Sequence, residues 1–346
     1  MFTGPQMDTT ALARQNRRIA RLKKQGVSRT TVLVHEDCRP SLDELRPHFS
    51  DPRRAESLVG LVKELREKRE PTNVAQVRQL SPFRYPGGKT WLIPEVRRWV
   101  MDSPLNASVF VEPFAGGAMA GLTVASEGLA ERVFLSELDE DVAAVWATIF
   151  QGTDNDVRWL KKHILDFDVT LPLVQAVLAK EPKTDRERAF RTIIKNRMQR
   201  GGIMAPGAGL VKTGEAGRGL NSRWYPETLA KRIEAIRGLA GTVEFEQEDA
   251  FNVVARFKKD PNAFFFVDPP YTAGGKSAGK RLYRHNEIDH DKLFALMASV
   301  QGSVMMTYDE APEVRKLAKT HGFRVERIPM KNTHHAIIHE LLILKP

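Results

Sequence analysis

The sequence contains a single cysteine, Cys38, among 346 residues. One cysteine excludes an intrachain disulfide framework and a zinc site built from cysteines. The chain also has no run of roughly 18–20 consecutive apolar residues, the length that a helix needs to cross a bilayer. Its N-terminal residues lack the apolar core of a secretory signal peptide. We therefore expect a soluble intracellular protein without a membrane segment.

Acidic residues are in the minority. The chain has 53 Lys and Arg against 43 Asp and Glu, a net charge of +10. Residues 1–30 alone contain seven basic residues and one acidic residue. A basic balance of this kind favours a polyanionic partner, and DNA or RNA over a membrane surface. His334, His335 and His339 fall close together, but no clustered carboxylates or thiols accompany them, so we predict no metal site.

The pattern of apolar residues divides the chain into three parts. Residues 1–78 are predicted to be a basic, partly helical extension, with helical spacing over 51–70. Residues 79–150 and 242–346 alternate short apolar runs with helical segments. That alternation predicts an α/β domain with a mostly parallel sheet and antiparallel strands at its edge. Residues 151–241 break the alternation and predict an inserted, mainly helical lobe.

The apolar runs predict the strands of the sheet, and the segments between them predict helices. The predicted strands are 107–113, 131–137, 242–247, 262–270, 302–308, 323–329 and 339–345. The predicted helices of the α/β domain are 91–101, 118–127, 141–150, 289–300 and 312–321. Three tryptophans within or beside these helices are interpreted as core or helix-packing residues: Trp91, Trp99 and Trp146.

A glycine turn follows the first predicted strand, in the sequence VFVEPFAGGAMAGL at 109–122. Gly116 and Gly117 let the backbone bend sharply and approach a ligand, and the helix that follows offers free N–H groups at its start. A dinucleotide fingerprint would have its middle glycine where this chain has Ala118. Glu137 lies roughly 20 residues on, where an acidic residue holds ribose hydroxyls. The pair predicts a site for an adenosine-type ligand.

The segment FFFVDPPY, residues 264–271, predicts a rigid loop at the end of a buried strand. Prolines fix φ and lack an N–H donor, so the loop leaves the sheet with its carbonyls exposed. Asp268 and a free carbonyl can accept both hydrogens of an amino group, and the ring of Tyr271 can stack on the base that carries it. The motif therefore predicts a site for an amino-bearing base. The segment 307–309 ends another predicted strand and is a candidate to line this site.

The sequence disfavours two classes of nucleotide-binding enzyme, the nucleoside triphosphatases and the nicotinamide-dependent oxidoreductases. A P-loop ending in Gly88-Lys89-Thr90 would need glycine where the chain has Phe83, which argues against a nucleoside triphosphatase. A nicotinamide-dependent oxidoreductase is disfavoured by Ala118 and by the presence of the Asp-Pro-Pro-Tyr motif.

Four motifs occur in the order found in Dam-like DNA adenine methyltransferases, and the chain resembles that family over roughly residues 81–346. The motifs are FRYPGGK at 83–89, EPFAGG at 112–117, the acidic residue Glu137 and DPPY at 268–271. The resemblance implies a Rossmann-like S-adenosylmethionine methyltransferase sheet. It also implies that the insertion 151–241 is the target-recognition lobe.

The resemblance further implies roles for individual residues. S-adenosylmethionine would be bound by Tyr85, Gly88, Lys89, Glu112, Phe114, Ala115, Gly116, Gly117, Glu137, Asp249, Phe251 and Asp268. The flipped target base would be held by the catalytic residues Asp268, Pro269, Pro270 and Tyr271. Basic side chains of the inserted lobe are expected to contact phosphates and base edges. They are Arg186, Arg188, Arg191, Lys195, Arg197, Arg200 and Arg223.

The predicted activity is site-specific methyl transfer from S-adenosylmethionine to the exocyclic 6-amino group of adenine in double-stranded DNA, without a metal. Alternatives stay open: amino methylation of cytosine or of an RNA base, and a DNA-binding protein with an inactive methyltransferase fold. We also expect a cytoplasmic, nucleoid-associated protein of prokaryotic or phage origin. A cognate restriction enzyme is a candidate partner.

Overall fold

A computed structural model describes Glu44 and residues 77–84, 88–204, 208–212, 214, 217–270, 288–331 and 337–345. The chain divides into two units, Met1–Arg69 and Glu70–Pro346, and the account below concerns the second. Several sequence predictions lie outside the described residues: the basic segment 1–30, the helix over 51–70, Tyr85, Tyr271, His334 and His335.

The described strands form one sheet in the order β3-β2-β1-β4-β5-β7-β6. Their bounds are β1 Val109–Glu112, β2 Arg132–Ser136, β3 Val243–Glu246, β4 Ala263–Val267, β5 Ser303–Asp309, β6 Arg324–Lys331 and β7 Ile337–Leu344. Strands β1 to β5 pair in parallel, whereas β7 is antiparallel to both β5 and β6. This arrangement confirms the predicted mostly parallel sheet with an antiparallel edge.

The central strands are apolar throughout because both faces of the sheet are covered. Every residue of β1 and β4 is buried. In β4, Phe264 and Phe266 join the hydrophobic core on one face, and Phe265 joins the core on the other. Because successive side chains of such a strand enter a core on either face, the strand appears in the sequence as a continuous apolar run. Its position can therefore be predicted from the sequence.

Helices cover both faces of the sheet. Their bounds are α1 Ile93–Met101, α2 Met119–Glu127, α3 Glu140–Phe150, α4 Asp154–Asp166, α5 Leu171–Ala179, α6 Asp185–Met198, α7 Pro226–Arg237, α8 Ala250–Phe257, α9 His290–Ser299 and α10 Pro312–Thr320. Short 3₁₀ turns occupy Lys89–Leu92, Arg200–Gly202 and Leu220–Arg223. Helices α1, α2, α3, α9 and α10 confirm the sequence predictions to within about two residues, while α8 was not predicted. None of the helices in the described residues is long and apolar enough to cross a membrane.

The inserted segment supplies helices α4 to α7. Threonine side chains cap three of them: Thr153 at α4, Thr170 at α5 and Thr184 at α6. Buried apolar residues of these helices, among them Leu160 and Ile193, share one hydrophobic cluster with the face of the sheet that α1, α2 and α3 cover. The insertion therefore packs onto the α/β core.

Candidate active site

Acidic side chains lie at the carboxyl ends of the parallel strands. Glu112 is the last residue of β1, Glu137 follows β2 directly, and Asp268 follows β4 directly. The strand order reverses between β1 and β4, because β1 pairs with β2 on one side and with β4 on the other. Ligands of open α/β sheets bind in the crevice at such a reversal. The structure thus brings these three predicted site residues to the same edge of the sheet.

The glycine turn after β1 is held from two sides. The Ala115 N–H donates to the carbonyl of Ser136, and the Gly116 N–H donates to Glu137 Oε2 at 2.8 Å. On the other side, the indole Nε1 of buried Trp146 donates to the Gly116 carbonyl at 3.0 Å. Trp146 therefore positions the turn, a role that sequence analysis missed when it interpreted this residue as packing only.

Ala118 takes the place of the absent middle glycine and has a left-handed backbone, with φ of 51°. This conformation costs a residue with a Cβ roughly 1–2 kcal/mol. Ala118 is buried and precedes the first residue of α2, and its N–H donates to the Ala115 carbonyl. The turn therefore keeps the conformation that glycine would favour, although its sequence departs from the dinucleotide fingerprint.

Glu112 stabilises the start of α2. Its Oε2 accepts the Gly121 N–H at 2.7 Å, and no side chain of the helix's own N-cap residue does so. A Cβ at Gly121 would lie 2.6 Å from Leu135 Cδ2 and 2.7 Å from Glu112 Oε2, so only glycine permits this close packing. Burial raises the pKa of Glu112 well above its ordinary value. The carboxyl group is thus a buried cap near the glycine turn.

Glutamine at position 112 should preserve this cap, whereas alanine should not. Glu112→Gln keeps an acceptor for the Gly121 N–H and fits a site that favours the neutral form, so we expect a change within about 1 kcal/mol in the free energy of unfolding. Glu112→Ala leaves that N–H unsatisfied and opens a cavity, which should cost about 2–4 kcal/mol. Urea denaturation measures both values. Equal losses for the two variants would contradict the capping role.

Glu137 has the geometry of a group that accepts hydroxyl donors. Its Oε2 accepts the Gly116 N–H, and its Oε1 accepts the Asp139 N–H at 2.9 Å. Burial raises the pKa of Glu137 from 4.5 to about 7, although part of the side chain stays accessible. A half-buried carboxylate beside a glycine turn is available to hydroxyl donors of a ligand, because such donors would replace its lost hydration.

Binding of an adenosine ligand should therefore depend on pH. Hydroxyl donors stabilise the ionised carboxylate, so a ligand bound to Glu137 lowers its pKa below about 7. Affinity should then be constant at alkaline pH and roughly tenfold weaker at pH 6 than at pH 8. Calorimetry with 5′-methylthioadenosine, which does not itself titrate in this range, measures the effect. Glu137→Gln should abolish the pH dependence, and an unchanged dependence in that variant would contradict the assignment.

Asp268 is bound on one oxygen by two side chains from different elements. The Thr307 hydroxyl donates to Asp268 Oδ1 at 2.6 Å, and Lys89 Nζ lies 3.1 Å from the same oxygen. Lys89 Nζ also lies 3.3 Å from Glu340 Oε2 on β7. Thr307 thus lines the site, as segment 307–309 was expected to do, and Lys89 links two carboxylates. Glu340 was not singled out from the sequence.

The remaining predicted site residues belong to four separate segments of the chain. Asp249 caps α8 by accepting the Phe251 N–H at 2.8 Å, and the half-buried ring of Phe251 lies 5.2 Å from Lys292 Nζ. Gly88 is exposed and precedes the Lys89–Leu92 turn. Three predicted residues of the glycine turn and the proline loop are also placed by the structure: Phe114 is half-buried, and Pro269 and Pro270 are buried.

The segment that leads to Lys89 is held by the inserted lobe. Asn196 on α6 accepts the Arg84 N–H at 2.8 Å and donates to the carbonyls of Arg84 and Gly202. Arg197 donates to the Pro82 carbonyl at 2.7 Å, and Arg232 donates to the Ser81 carbonyl at 2.8 Å. The carbonyls of Ser81, Pro82 and Arg84 are therefore bound by the lobe. No local sequence signal predicts these contacts, since the partners are more than 100 residues apart.

The basic residues predicted to bind DNA fall into three groups. Arg197 and Arg223 are buried, so the structure does not place them at the surface, where phosphate contacts occur. Four others form ion pairs with acidic residues of neighbouring elements: Arg186, Arg188, Arg191 and Lys195. Arg200 is exposed. Helix α6 directs Arg188 and Lys195 at the buried carboxylate of Asp141 on α3, which a single helix sequence cannot reveal.

The sheet order, the glycine turn and the acidic residue after β2 together define a Rossmann-like protein with a site for an adenosine-type ligand. Within that class, residues 85–336 match the D12 class N6 adenine-specific DNA methyltransferases. The match covers well over half of the chain, and the chain belongs to this family. The resemblance to Dam-like adenine methyltransferases is thereby confirmed.

Individual relatives are distant. A DNA N-6-adenine-methyltransferase of Escherichia phage P1 is 23% identical over 254 residues, which cover 71% of this chain and 32% of that protein. This chain thus spans about a third of the phage P1 relative. The Type II methyltransferase M.CviBI of Paramecium bursaria Chlorella virus NC1A is 24% identical over 241 residues, 68% of this chain and 84% of that protein. Among solved structures, the rRNA methyltransferase aviRa from Streptomyces viridochromogenes has 12% identity and a TM-score of 0.33, over 73% of this chain and 83% of that one.

Proposed function

We propose that the protein transfers a methyl group from S-adenosylmethionine to the exocyclic 6-amino group of adenine at specific sites in double-stranded DNA. The observation that best supports this proposal is the Asp268 carboxylate, which Lys89 and Thr307 orient at the strand-order reversal of a sheet in this family. The buried prolines that follow keep the loop rigid.

The chemical problem is the low nucleophilicity of the 6-amino nitrogen, whose lone pair is delocalised into the ring. Asp268 and the carbonyl of Pro269 accept its two hydrogens and favour a more tetrahedral nitrogen. As positive charge develops on that nitrogen, the Asp268 carboxylate stabilises it without reorganisation, because Thr307 and Lys89 already fix its orientation. Transfer would form the nitrogen–methyl bond as the sulfur–methyl bond breaks, with S-adenosylhomocysteine as the leaving group, and the amino nitrogen would lose one proton to water. The reaction therefore needs no covalent intermediate with the protein.

S-adenosylmethionine, when bound, supplies an electrophilic methyl group on a sulfonium. Glu137 would accept hydrogen bonds from its ribose hydroxyls, and the backbone of the glycine turn over 115–117 would lie against it. Asp249 and Phe251 would lie near its adenine, in agreement with the family resemblance. The roles of Tyr85 in cofactor binding and of Tyr271 in stacking on the target base rest on that resemblance alone.

The acceptor base has to leave the duplex before its amino group can reach Asp268. Extrusion costs a few kcal/mol, and aromatic stacking recovers roughly 1–3 kcal/mol. We assign the DNA-binding face to the inserted lobe, with exposed Arg200. The partly exposed Arg186 and Arg191 of α6 would exchange their ion pairs with Asp156 and Glu181 for phosphates. The exposed Arg218 and Lys212 of the glycine-rich segment belong to the same proposal.

A cognate restriction enzyme stays a candidate partner, since one relative is named a Type II methyltransferase. The location that fits this function is the prokaryotic cytoplasm, where the protein would be associated with the DNA that it methylates.

Transfer of label from S-[methyl-³H]adenosylmethionine tests the proposal directly. Duplex DNA, RNA and DNA lacking adenine are offered in parallel, and the nucleosides are identified after digestion. We expect N6-methyladenine from duplex DNA only. Label in N4-methylcytosine or in RNA would favour the alternative acceptors, and the absence of label from every polynucleotide would favour an inactive DNA-binding protein.

A further inference from the structure

Glu340 is an acidic residue inside β7, a strand whose other residues, apart from His339, are apolar. It lies on β7, directly opposite Asp309 of β5, and its side chain is only 7% exposed. The residues that follow it, Leu341 to Leu344, are all buried apolar residues of the core. A carboxylate in such surroundings is costly unless a cation or hydrogen-bond donors compensate it. Lys89 Nζ, 3.3 Å from Glu340 Oε2, is such a cation.

Lys89 is shared between two carboxylates. Its ammonium group lies 3.1 Å from Asp268 Oδ1 and 3.3 Å from Glu340 Oε2, and its side chain is 6% exposed. An ammonium is a compact charge with three donors, so it can bind both groups at once. Asp268 directly follows β4 and Glu340 lies on β7, strands on opposite sides of β5, and Lys89 connects the two carboxylates.

We propose that Glu340 is a positioning residue for methyl transfer, acting through Lys89. This inference rests on the proposed function, because it assigns Asp268 to the amino group of the target base. Glu340 attracts the Lys89 ammonium and so limits how strongly Lys89 neutralises Asp268. Asp268 then keeps a fixed orientation and enough negative charge to accept the hydrogens of the amino group.

Removing either member of the pair should disturb Asp268 for a different reason. Without Glu340, Lys89 would be attracted more strongly to Asp268, which makes that carboxylate a weaker acceptor of the amino hydrogens. Without Lys89, Asp268 would lose an ammonium group that lies 3.1 Å from its Oδ1 and helps to fix its orientation. Glu112 from β1 and Tyr308 from β5 also interact electrostatically with Asp268.

The test is the single-turnover rate of methyl transfer to duplex DNA at saturating S-adenosylmethionine. Glu340→Gln should lower this rate roughly tenfold to hundredfold, and Lys89→Met should lower it as well. Affinity for 5′-methylthioadenosine and the urea midpoint should change little in Glu340→Gln, and Glu340→Asp should recover part of the rate. Glu246→Gln, on the far edge strand β3, is the matched control and should behave as the unaltered protein.

A double-mutant cycle gives the sharpest outcome. If Glu340 acts through Lys89, adding Glu340→Gln to Lys89→Met should cause no further loss of rate. Independent, additive losses would overturn the proposal. If the Glu340→Gln variant does not fold, the double variant Lys89→Met/Glu340→Gln lacks both charges and takes its place. Its single-turnover rate is then compared with that of Lys89→Met alone. If the unaltered protein methylates no DNA, the proposed function fails first, which distinguishes the two results.

Discussion

Alanine at position 268 should abolish methyl transfer and leave cofactor binding nearly intact. Asp268→Ala removes the carboxylate that accepts an amino hydrogen and stabilises the developing positive charge, so the single-turnover rate should fall at least about 10³-fold. The ligand contacts of Glu137 and the glycine turn belong to other strands, so the dissociation constant for 5′-methylthioadenosine should change less than about threefold. Labelled-methyl transfer and calorimetry measure the two quantities on the same preparation.

The same substitution at an exposed aspartate provides the control for Asp268→Ala. The side chain of Asp291 on α9 is 72% exposed. Among the described residues, its one ion pair is with His321. Asp291→Ala should transfer methyl groups at the unaltered rate. A rate for Asp268→Ala within tenfold of the unaltered protein would contradict the role of Asp268, and loss of cofactor binding would show that Asp268 acts on the ligand instead.

Alanine at position 196 should destabilise the protein more than any surface change. Asn196 is fully buried, and its side chain makes three hydrogen bonds with the backbone, to both polar groups of Arg84 and to the carbonyl of Gly202. Asn196→Ala leaves these groups unsatisfied, which should cost about 3–5 kcal/mol in the free energy of unfolding. It should also slow methyl transfer, because residues 81–84 lead directly to Lys89.

Asn252 on α8 offers a matched control for this substitution. Its exposed side chain donates one hydrogen bond, to Glu248 at 3.0 Å. Asn252→Ala should change the free energy of unfolding by no more than about 0.5 kcal/mol. Urea denaturation of both variants makes the comparison, and equal losses would contradict the structural role assigned to Asn196.

The sequence predicts those parts of the fold that depend on local patterns. Parallel strands covered on both faces read as continuous apolar runs, so β1 and β4 are found to within about four residues of their observed ends. Glycine and proline conformations are local as well, which is why the turn at 116–117 and the loop after Asp268 can be located. Helix α8 was missed because its eight residues give only two turns of periodicity.

The contacts that orient the site are not local, and the sequence does not reveal them. Lys89 meets Glu340 only because β7 inserts between β5 and β6, a register that no short pattern specifies. The sequence around Asn196 does not predict its contact with Arg84, because these two residues lie 112 positions apart in the chain. Likewise, Lys195 looks like a surface cation until α3 brings the buried Asp141 against it.

The most direct test of the account is whether Asp268 recognises the amino group itself. Once the methylated site is known, duplexes with adenine or with purine, which lacks the 6-amino group, at the target position are bound to protein saturated with a non-reactive cofactor analogue. The account predicts that Asp268→Ala reduces the preference for adenine over purine roughly ten- to hundredfold, the worth of one hydrogen bond to a charged group. An identical adenine-to-purine ratio in both proteins would contradict it.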